Sequence, residues 1–410
     1  MVEFSPFAGV RYDCAVAGPL ESLAAPPYDV IDEDERAALE HKAEHNAVRL
    51  LLPRDRELDG DRYDAAARAF EQWRADGVLT TDPAPRFYTY RMSFTDPHGR
   101  ARQTRGVIGA LTLPEPGADD VLPHERTLPK AKSDRLSLLR AMRVNVDPIW
   151  GLSLAAGLTR HLLDAAPLAS CTDADGVQHE LGTVDDPAPI AEIAGLVASA
   201  PIVLADGHHR FETALNYRNE LRAAGEPVGA ADAIMMFVVE LDDDELDIEP
   251  IHRLVELPAD VDLRVRLADA FEIRSLGPNT AENVDALERA MNDERAIGIV
   301  DGLGVAVARA YPKARADALG AEHPAVAATD AAVIEALVVP RLPEAQWQYR
   351  HDAREVSSLV EKGAASAALL CRPVSVAQTR AAAMDRVRMP QKSTFFTPKP
   401  RSGMVFRAFD

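Results

Sequence analysis

Residues 201–215, PIVLADGHHRFETAL, place a compact set of polar side chains directly after an apolar run. The apolar run predicts a buried strand that ends at Asp206 and Gly207, and the residues behind it predict an amphipathic helix. A turn between a strand and a helix directs backbone N–H groups and the positive end of the helix dipole at whatever lies over it. Gly207 permits an unusual backbone angle and the close approach of a ligand. The pattern therefore predicts a site for a phosphate or another oxyanion.

The side chains of this turn add further hydrogen-bond donors. His208, His209 and Arg210 follow the glycine directly, and an arginine can hold a phosphate through two parallel hydrogen bonds. Two alternatives stay open. Asp206 could cap the helix while the other side chains face solvent, or the histidines could bind a metal. Adjacent histidines on a helix point about 100° apart, and no HExxH motif accompanies them, so a shared metal is the weaker alternative.

A second polar cluster, HERT at residues 124–127, lies in a loop after a predicted β-hairpin of residues 86–94 and 106–113. A carboxylate that is shielded from water can act as a general base, which is one hypothesis for Glu125. The alternative is a structural ion pair with Arg126 or another nearby base. The remaining candidates for substrate contacts here are His124, Thr127 and Arg135. Asp134, at the start of the next predicted helix, is interpreted as a cap or first-turn acid.

Two further segments carry side chains suited to phosphoryl chemistry. In APPYDVI (25–31) the prolines favour a rigid, extended approach. Tyr28 and Asp29 then either pack as a turn or form a wall of the site, where Asp29 would bind substrate or Mg²⁺. In MPQKSTFFTPK (389–399) a lysine can neutralise phosphate charge, and hydroxyls can donate to a phosphate or hold a metal. The candidates in that segment are Lys392, Ser393 and Thr394. The two phenylalanines behind them could stack on a base or pack into the core, and we favour packing.

The composition restricts the partners that we expect. The 410 residues include 45 Lys and Arg against 65 Asp and Glu, a formal net charge of −20, and a field of that sign repels nucleic-acid backbones. No charge-free apolar run is long enough for a membrane span, and the N-terminus has no secretory pattern. Three widely spaced cysteines argue against a disulfide scaffold. We expect a cytoplasmic protein that binds a small molecule, without nucleic acid or membrane, and we leave its oligomeric state open.

Both strands and helices must position these residues. Strand and helix patterns alternate after Pro148, so the fold class is α+β, or mixed α/β. The length suggests about two or three domains. We divide the chain into residues 1–256, a core that holds HERT and DGHHR, and residues 257–410, a C-terminal α/β subdomain whose final QKSTFF segment returns to the site.

These motifs resemble known families. DGHHR before a helix is similar to the phosphate-binding turn of the ParB/sulfiredoxin-like superfamily, which includes nucleotide-binding ParB proteins, sulfiredoxins and free-serine kinases. The chain as a whole resembles the domain of unknown function 1015 family in APPYDVI, NAVRLLLP, HERT, DRLSLL, ADGHHRFETAL and MPQKSTFFTPK. The resemblance implies a ParB/sulfiredoxin-like core with additional packed α/β subdomains. By analogy with the serine kinases, it also implies that Glu125 activates the acceptor hydroxyl.

Two functions of different classes follow from this pattern. The first is a nucleotide-dependent phosphotransferase that uses ATP or ADP and acts on a small hydroxylated metabolite such as free serine. Its phosphate ligands would be residues 207–210 with Lys392, Ser393 and Thr394, and its catalytic candidates would be Glu125, Asp206 and His209, with Mg²⁺ at Asp206 or Asp29. The second is a ParB-like regulatory switch that binds or hydrolyses a nucleotide without transfer, and a metabolite-binding protein without chemistry is a third alternative. We expect all four polar segments to meet in one cleft.

The charge balance gives a first testable prediction. Because the net charge is −20 and no basic stripe is present, we expect no appreciable binding to random duplex DNA at physiological salt. Fluorescence anisotropy with a labelled random duplex measures this. Submicromolar binding that weakens as salt rises would contradict the prediction.

Overall fold

A computed structural model describes residues 2–55, 61–96, 99–123, 125, 132–163, 165–242 and 245–409. These residues form a mixed α and β structure, which confirms the predicted fold class. In this part of the chain, no helix combines the length and the apolar character that crossing a bilayer requires.

The strands are numbered along the chain. They are β1 (Phe4–Ser5), β2 (Val10–Tyr12), β3 (Leu79–Thr81), β4 (Phe87–Thr95), β5 (Ala101–Thr112), β6 (Val121–Pro123), β7 (Val144–Asn145), β8 (Ile149–Ser153), β9 (Ala166–Thr172), β10 (Gln178–Val184), β11 (Ile202–Asp206), β12 (Ala233–Glu240), β13 (Asp247–Glu249), β14 (His252–Glu256), β15 (Phe271–Gly277), β16 (Ile297–Asp301), β17 (Gly304–Ala310), β18 (Gln346–Arg350), β19 (Ala367–Leu370), β20 (Phe395–Thr397) and β21 (Arg407–Ala408).

The α-helices are numbered in the same way. They are α1 (Cys14–Ala17), α2 (Leu20–Leu23), α3 (Glu33–Lys42), α4 (Val48–Leu51), α5 (Arg62–Ala75), α6 (Lys132–Met142), α7 (Pro187–Ala198), α8 (His208–Ala224), α9 (Leu263–Leu267), α10 (Ala281–Glu294), α11 (Pro312–Leu319), α12 (Pro324–Ala327), α13 (Asp330–Val333), α14 (Ala353–Glu361) and α15 (Val376–Met384). Helix α13 continues directly as a π-helical turn over Ile334–Val338.

The chain divides into two compact units. Unit 1 contains Met1–Pro123, Thr127–Asp247 and Pro398–Asp410, and unit 2 contains His124–Arg126 and Ile248–Thr397. The change of unit near residue 247 comes before the predicted boundary at residues 256 and 257. The last residues of the chain belong to unit 1 and not to the C-terminal part, because their partners lie there: Ser402 bridges to Ala25, and Phe406 bridges to Val10.

Unit 1 is built on one large mixed sheet. Its strand order is β6-β11-β8-β12-β5-β4-β10-β9, and β1 pairs with β5. The predicted hairpin is confirmed as the antiparallel pair β4 and β5, although β5 already begins at Ala101. Strand β11 runs parallel to β6 and antiparallel to β8, so the strand before DGHHR is held on both sides.

Two stacked aromatic rings lie in the core of unit 1. The rings of Phe4 and Phe87 stack with centroids 4.9 Å apart. Gly109 of β5 lies against both rings, since a Cβ there would be 2.5 Å from Phe4 and 2.7 Å from Phe87. The backbone of β5 can therefore approach these rings only because residue 109 lacks a side chain.

Unit 2 contains an antiparallel sheet in the order β15-β17-β16-β19-β14-β18. Successive residues of its central strands point to opposite faces, as the two-residue period of a strand requires. Ala306 and Ala308 of β17 join one apolar cluster with helices α11 to α13. Val305 and Val307 join a second cluster on the other face with helices α10 and α14.

The packing of Gly109 leads to a stability prediction. Gly109→Ala should destabilise the protein by about 1–3 kcal/mol, because the added methyl group overpacks the two rings. The matched control is Gly195→Ala in α7, where an added Cβ meets no heavy atom within 4 Å. That change should stabilise the helix by roughly 0.5–1 kcal/mol. Urea unfolding of both variants measures the difference, and equal stability of Gly109→Ala and the wild type would contradict it.

Candidate functional site

The end of β11 and the start of α8 form the strand–turn–helix that the sequence predicts. Residues 202–205 of β11 are buried, and Asp206 at its end is half-buried. Gly207 follows with φ +85° and ψ +27°, in the left-handed region. A Cβ at this position would lie 2.7 Å from Cγ2 of Ile149. The turn therefore needs glycine both for its backbone angle and for space.

Helix α8 presents its N-terminal amides at this turn. The first bond within the helix runs from the N–H of Phe211 to the carbonyl of Gly207 at 2.9 Å, so the N–H groups of residues 208–210 have no acceptor inside the helix. The dipole of this 17-residue helix adds partial positive charge at the same end. His208 and His209 lie in this first turn. Among the described residues, no group of three or more His, Cys, Asp or Glu side chains could hold a metal ion.

Asp206 does not cap the helix, so the capping alternative is wrong. The N-cap position belongs to Gly207, which makes no side-chain capping bond. The carboxylate of Asp206 instead accepts a hydrogen bond from Nζ of Lys399 at 2.6 Å and from Nη2 of Arg210 at 2.9 Å. The left-handed glycine shifts the helix start by one residue, and this frees Asp206 for an ion-pair network.

Arg210 is held between two carboxylates. Its Nη1 donates to Oδ2 of Asp147 at 2.6 Å and to the carbonyl of Pro148 at 2.8 Å, while its Nη2 donates to Asp206. The side chain is only 11% exposed. Three hydrogen bonds thus go to acceptors of the protein itself, and the two-point grip on a phosphate stays a prediction.

Tyr28 lies against two guanidinium groups. The Cζ atom of Arg135 is 4.6 Å from the centre of its ring, and that of Arg210 is 5.8 Å from it. Arg135 also donates to the carbonyl of Leu51 at 2.6 Å and is itself buried. The segments APPYDVI, DRLSLL and DGHHR therefore meet in unit 1 through Tyr28, Arg135 and Arg210.

The neighbouring acids take different positions. Asp134 lies in the first turn of α6, as expected, and accepts hydrogen bonds from Arg62 and from the hydroxyl of Tyr63, both at 2.8 Å. Asp29 is exposed beside Tyr28, and its charge contributes to raising the pKa of Arg210. Its role in binding Mg²⁺ or a substrate stays a prediction.

The charges of the network shift its pKa values in opposite directions. Burial raises the pKa of Asp206, but Lys399 and Arg210 outweigh burial and lower that pKa to about 2. Asp147 differs, because burial outweighs Arg210 and raises its pKa. Burial also raises the pKa of the Tyr28 hydroxyl to about 12. At neutral pH, Asp206 is thus a firmly ionised carboxylate and a weak proton acceptor.

In unit 2, Glu125 meets the Lys392–Thr394 segment. Its carboxylate accepts hydrogen bonds from the backbone N–H groups of Lys392 at 3.0 Å, Ser393 at 3.1 Å and Thr394 at 2.9 Å. The hydroxyl of Thr394 donates a fourth bond at 2.8 Å. We call Lys392–Thr394 the anion nest. Part of HERT and the QKST segment therefore come together, as the sequence predicts. These donors stabilise the ionised carboxylate, so Glu125 is a poor base while it occupies the nest.

Other predicted residues cannot be assigned a position. His124, Arg126 and Thr127 lie outside the described residues. The anion nest belongs to unit 2 and the DGHHR turn to unit 1. Their convergence on one cleft stays a prediction.

Sequence reasoning missed two members of the charged network, Asp147 and Lys399. The sequence neighbours of each residue could have indicated its role. Asp147 interrupts the apolar stretch between Val146 and Ile149, and Lys399 closes the same motif that supplies the nest. An isolated charge beside apolar residues indicates a buried ion pair, because a buried charge requires a partner.

A family model described as "Protein of unknown function (DUF1015)" matches residues 4–337. The chain therefore belongs to this family, which confirms the resemblance seen in its motifs. A search of curated proteins finds no match.

Three solved structures are similar to this chain at low sequence identity. A conserved hypothetical protein from Pyrococcus furiosus is 11% identical with a TM-score of 0.38, covering 70% of this chain and 90% of its own. A free serine kinase in complex with AMP is 12% identical with a TM-score of 0.37, covering 71% and 87%. SbnI from Staphylococcus aureus, truncated at its C-terminus, is 13% identical with a TM-score of 0.36, covering 73% and 86%.

The ion pairs of Asp206 predict a pH dependence of stability. Its pKa is about 2 in the folded chain against an ordinary value of 3.8, so the stability that it contributes is present above pH 3.8 and is lost as the pH falls toward 2. The difference in unfolding free energy between the wild type and Asp206→Asn should therefore shrink by about 2 kcal/mol across this range.

Asp147→Asn provides a control of opposite sign. Because the pKa of Asp147 is raised, its protonation favours the folded chain, and the wild type should gain stability relative to this variant as the pH falls toward 3.8. Denaturant unfolding at a series of pH values measures both differences. Parallel curves for the wild type and Asp206→Asn would contradict the assigned ion pairs.

Proposed function

We propose that this protein is a nucleotide-dependent phosphotransferase that transfers a phosphoryl group between ATP or ADP and a small hydroxylated metabolite. Free serine is the first acceptor to test. The observation that carries the proposal is the turn at Gly207, which joins a buried strand to the N-terminus of a long helix in a left-handed conformation. Such a turn lets a phosphate approach backbone N–H groups closely, and the helix dipole favours its charge.

The charges around the turn support a requirement for Mg²⁺. Asp206 pairs with Lys399, and Asp147 pairs with Arg210, so these buried side chains balance one another. A polyphosphate that enters must then bring much of its own countercharge. Mg²⁺ in such sites is held by one or two carboxylates together with the substrate phosphates. Asp29 is an exposed carboxylate near the network and is our candidate ligand.

The roles of the remaining residues follow from their positions. The backbone N–H groups of residues 208–210 would bind the transferred phosphoryl group, with the side chains of His208 and His209 beside them. Asp206 would orient a cationic group such as the amine of an amino acid, because it stays ionised at every physiological pH. Arg210 is a positioning residue that fixes Asp206 and Asp147 through its three hydrogen bonds.

One observation favours the second candidate, a switch that binds a nucleotide without transferring its phosphate. Glu125 is the candidate base, and its carboxylate already accepts four hydrogen bonds in the anion nest. A carboxylate held in this way accepts a proton poorly. Unless Glu125 leaves the nest, binding without transfer is the expected behaviour.

The turn can be tested by adding one methyl group at either end of α8 and comparing the two variants. Gly207→Ala should weaken the binding of ADP and of Mg²⁺-ATP at least tenfold, because the Cβ enters the space beside Ile149 and disturbs the amides. The matched control is Gly225→Ala at the C-terminal end of the same helix. Gly225 has φ +72° but open space around it, so this variant carries the backbone strain without closing the turn. Titration calorimetry on both variants, after thermal melts confirm that they fold, measures the effect.

The outcomes separate the candidate functions. Phosphoserine formation, followed by ³¹P NMR with a panel of small alcohols as further acceptors, supports the phosphotransferase. Nucleotide binding that yields no transfer to any acceptor supports the switch. Equal nucleotide affinity of Gly207→Ala and Gly225→Ala would contradict a phosphate site at the turn.

A further inference from the structure

The anion nest has the geometry of an oxyanion site. Three consecutive N–H groups, those of Lys392, Ser393 and Thr394, converge on a single carboxylate, and the Thr394 hydroxyl joins them. Lys392 has φ +56°, which is uncommon for a residue with a side chain. Alternation of left-handed and other conformations turns successive N–H groups toward one point and creates a concave anion-binding surface.

Buried groups hold this nest in shape. The guanidinium of Arg253, which is only 5% exposed, donates to the carbonyl of Lys392 at 3.0 Å and to Sγ of Cys371 at 3.3 Å. The hydroxyl of Ser393 donates to the carbonyl of Pro390 at 2.6 Å. None of these contacts uses an N–H group of the nest, so those groups stay directed at the anion. The nest is thus supported from beneath by a buried cation.

The carboxylate of Glu125 shares the four donors unevenly between its two oxygens. Oε1 of Glu125 accepts three of the four hydrogen bonds, and Oε2 accepts one. The Lys392 side chain is exposed, and no acceptor for its ammonium occurs among the described residues. A phosphate has a third oxygen and a second charge, so it could share these donors more evenly and attract the ammonium as well.

We propose that the anion nest is a binding site for a phosphate group and that Glu125 is its tethered internal occupant. The carboxylate mimics the phosphate, and binding of the ligand requires that Glu125 leave. A tethered competitor acts at an effective concentration in the millimolar range or above, so the wild-type chain should bind free phosphate only weakly.

This exchange has a consequence that rests on the proposed function. When a phosphate takes the four donors, the carboxylate of Glu125 loses the hydrogen bonds that stabilise its charge. Its affinity for a proton then rises, and it can accept the proton of an acceptor hydroxyl. Binding of a phosphorylated reactant would thereby release the base.

The experiment uses inorganic phosphate and the full chain without nucleotide. Glu125→Ala should bind phosphate at least tenfold more tightly than the wild type, because the internal competitor is removed. In the ¹⁵N-labelled variant, the amide resonances of residues 392–394 should shift on addition of phosphate. Thr394→Val in the same background should weaken phosphate binding roughly five- to tenfold through the loss of one hydrogen bond to a charged ligand.

Three comparisons keep the result interpretable. Asp352→Ala is the matched control, because Asp352 also accepts two backbone N–H groups in unit 2, at 2.7 and 3.0 Å, but at the start of α14. It should gain no affinity for phosphate. Acetate tests the choice of ligand and should bind to Glu125→Ala much more weakly than phosphate. Glu125→Gln, which keeps the size of the side chain, replaces Glu125→Ala if the latter does not fold.

The site is overturned if neither variant of Glu125 binds phosphate more tightly than the wild type, or if phosphate shifts no amide of residues 392–394. In that case Glu125 serves only to fix this segment. Acetate binding as tight as that of phosphate would overturn the preference for a phosphate. Because this measurement contains no nucleotide and is read at the nest itself, its failure leaves the proposed phosphate site at Gly207 untouched.

Discussion

Neutralisation of buried charge is the constraint on which the chemistry of this protein depends. Asp147, Arg210, Asp206 and Lys399 form a continuous chain of two acids and two bases, joined by hydrogen bonds of 2.6 to 2.9 Å. None of these charges is tolerable alone in a half-buried position, because removing one partner leaves another uncompensated. The network therefore fixes the end of β11, the start of α8 and the C-terminal segment relative to one another inside unit 1. The left-handed Gly207 is what lets Asp206 face this network and not the helix amides.

The same principle governs the anion nest. There a backbone surface made for an anion is satisfied by a carboxylate of the chain itself, so the folded protein leaves neither cluster as a bare positive site. A net charge of −20 would attract cations and repel phosphates at long range, and internal pairing removes the local attraction as well. Under the proposed function, a phosphorylated ligand would therefore have to bring a metal ion, displace an internal acid, or do both. Selectivity under that proposal would depend on exchange of partners and not on accumulated positive charge.

The sequence predicts the local part of this arrangement well and the non-local part poorly. The strand before DGHHR, the helix behind it and the hairpin β4–β5 are specified by short-range apolar patterns and turn residues, so the pattern was sufficient. The capping alternative for Asp206 was wrong because the conformation of Gly207 decides which residue begins the helix, and composition does not reveal that angle. Asp147 and Lys399 were missed because their partners are set by topology over 63 or more residues of separation. Phe396, by contrast, was correctly interpreted as a core residue and is 1% exposed.

Both clusters are completed by one short stretch near the end of the chain. The family model ends at residue 337, yet Lys392–Thr394 donate four hydrogen bonds to Glu125, and Lys399 donates to Asp206 at 2.6 Å, closer than Arg210 at 2.9 Å. Without this stretch, Asp206 would lose its hydrogen bond from Lys399 and would share Arg210 with Asp147. The carboxylate of Glu125 would lose its four hydrogen bonds. The members of each cluster therefore come from widely separated parts of the sequence: Lys399 lies 193 residues from Asp206, and the donors of the nest lie 267 to 269 residues from Glu125. Local patterns do not specify pairs at such separations, so the C-terminal segment supplies in each unit the partner of an acid that lies much earlier in the chain.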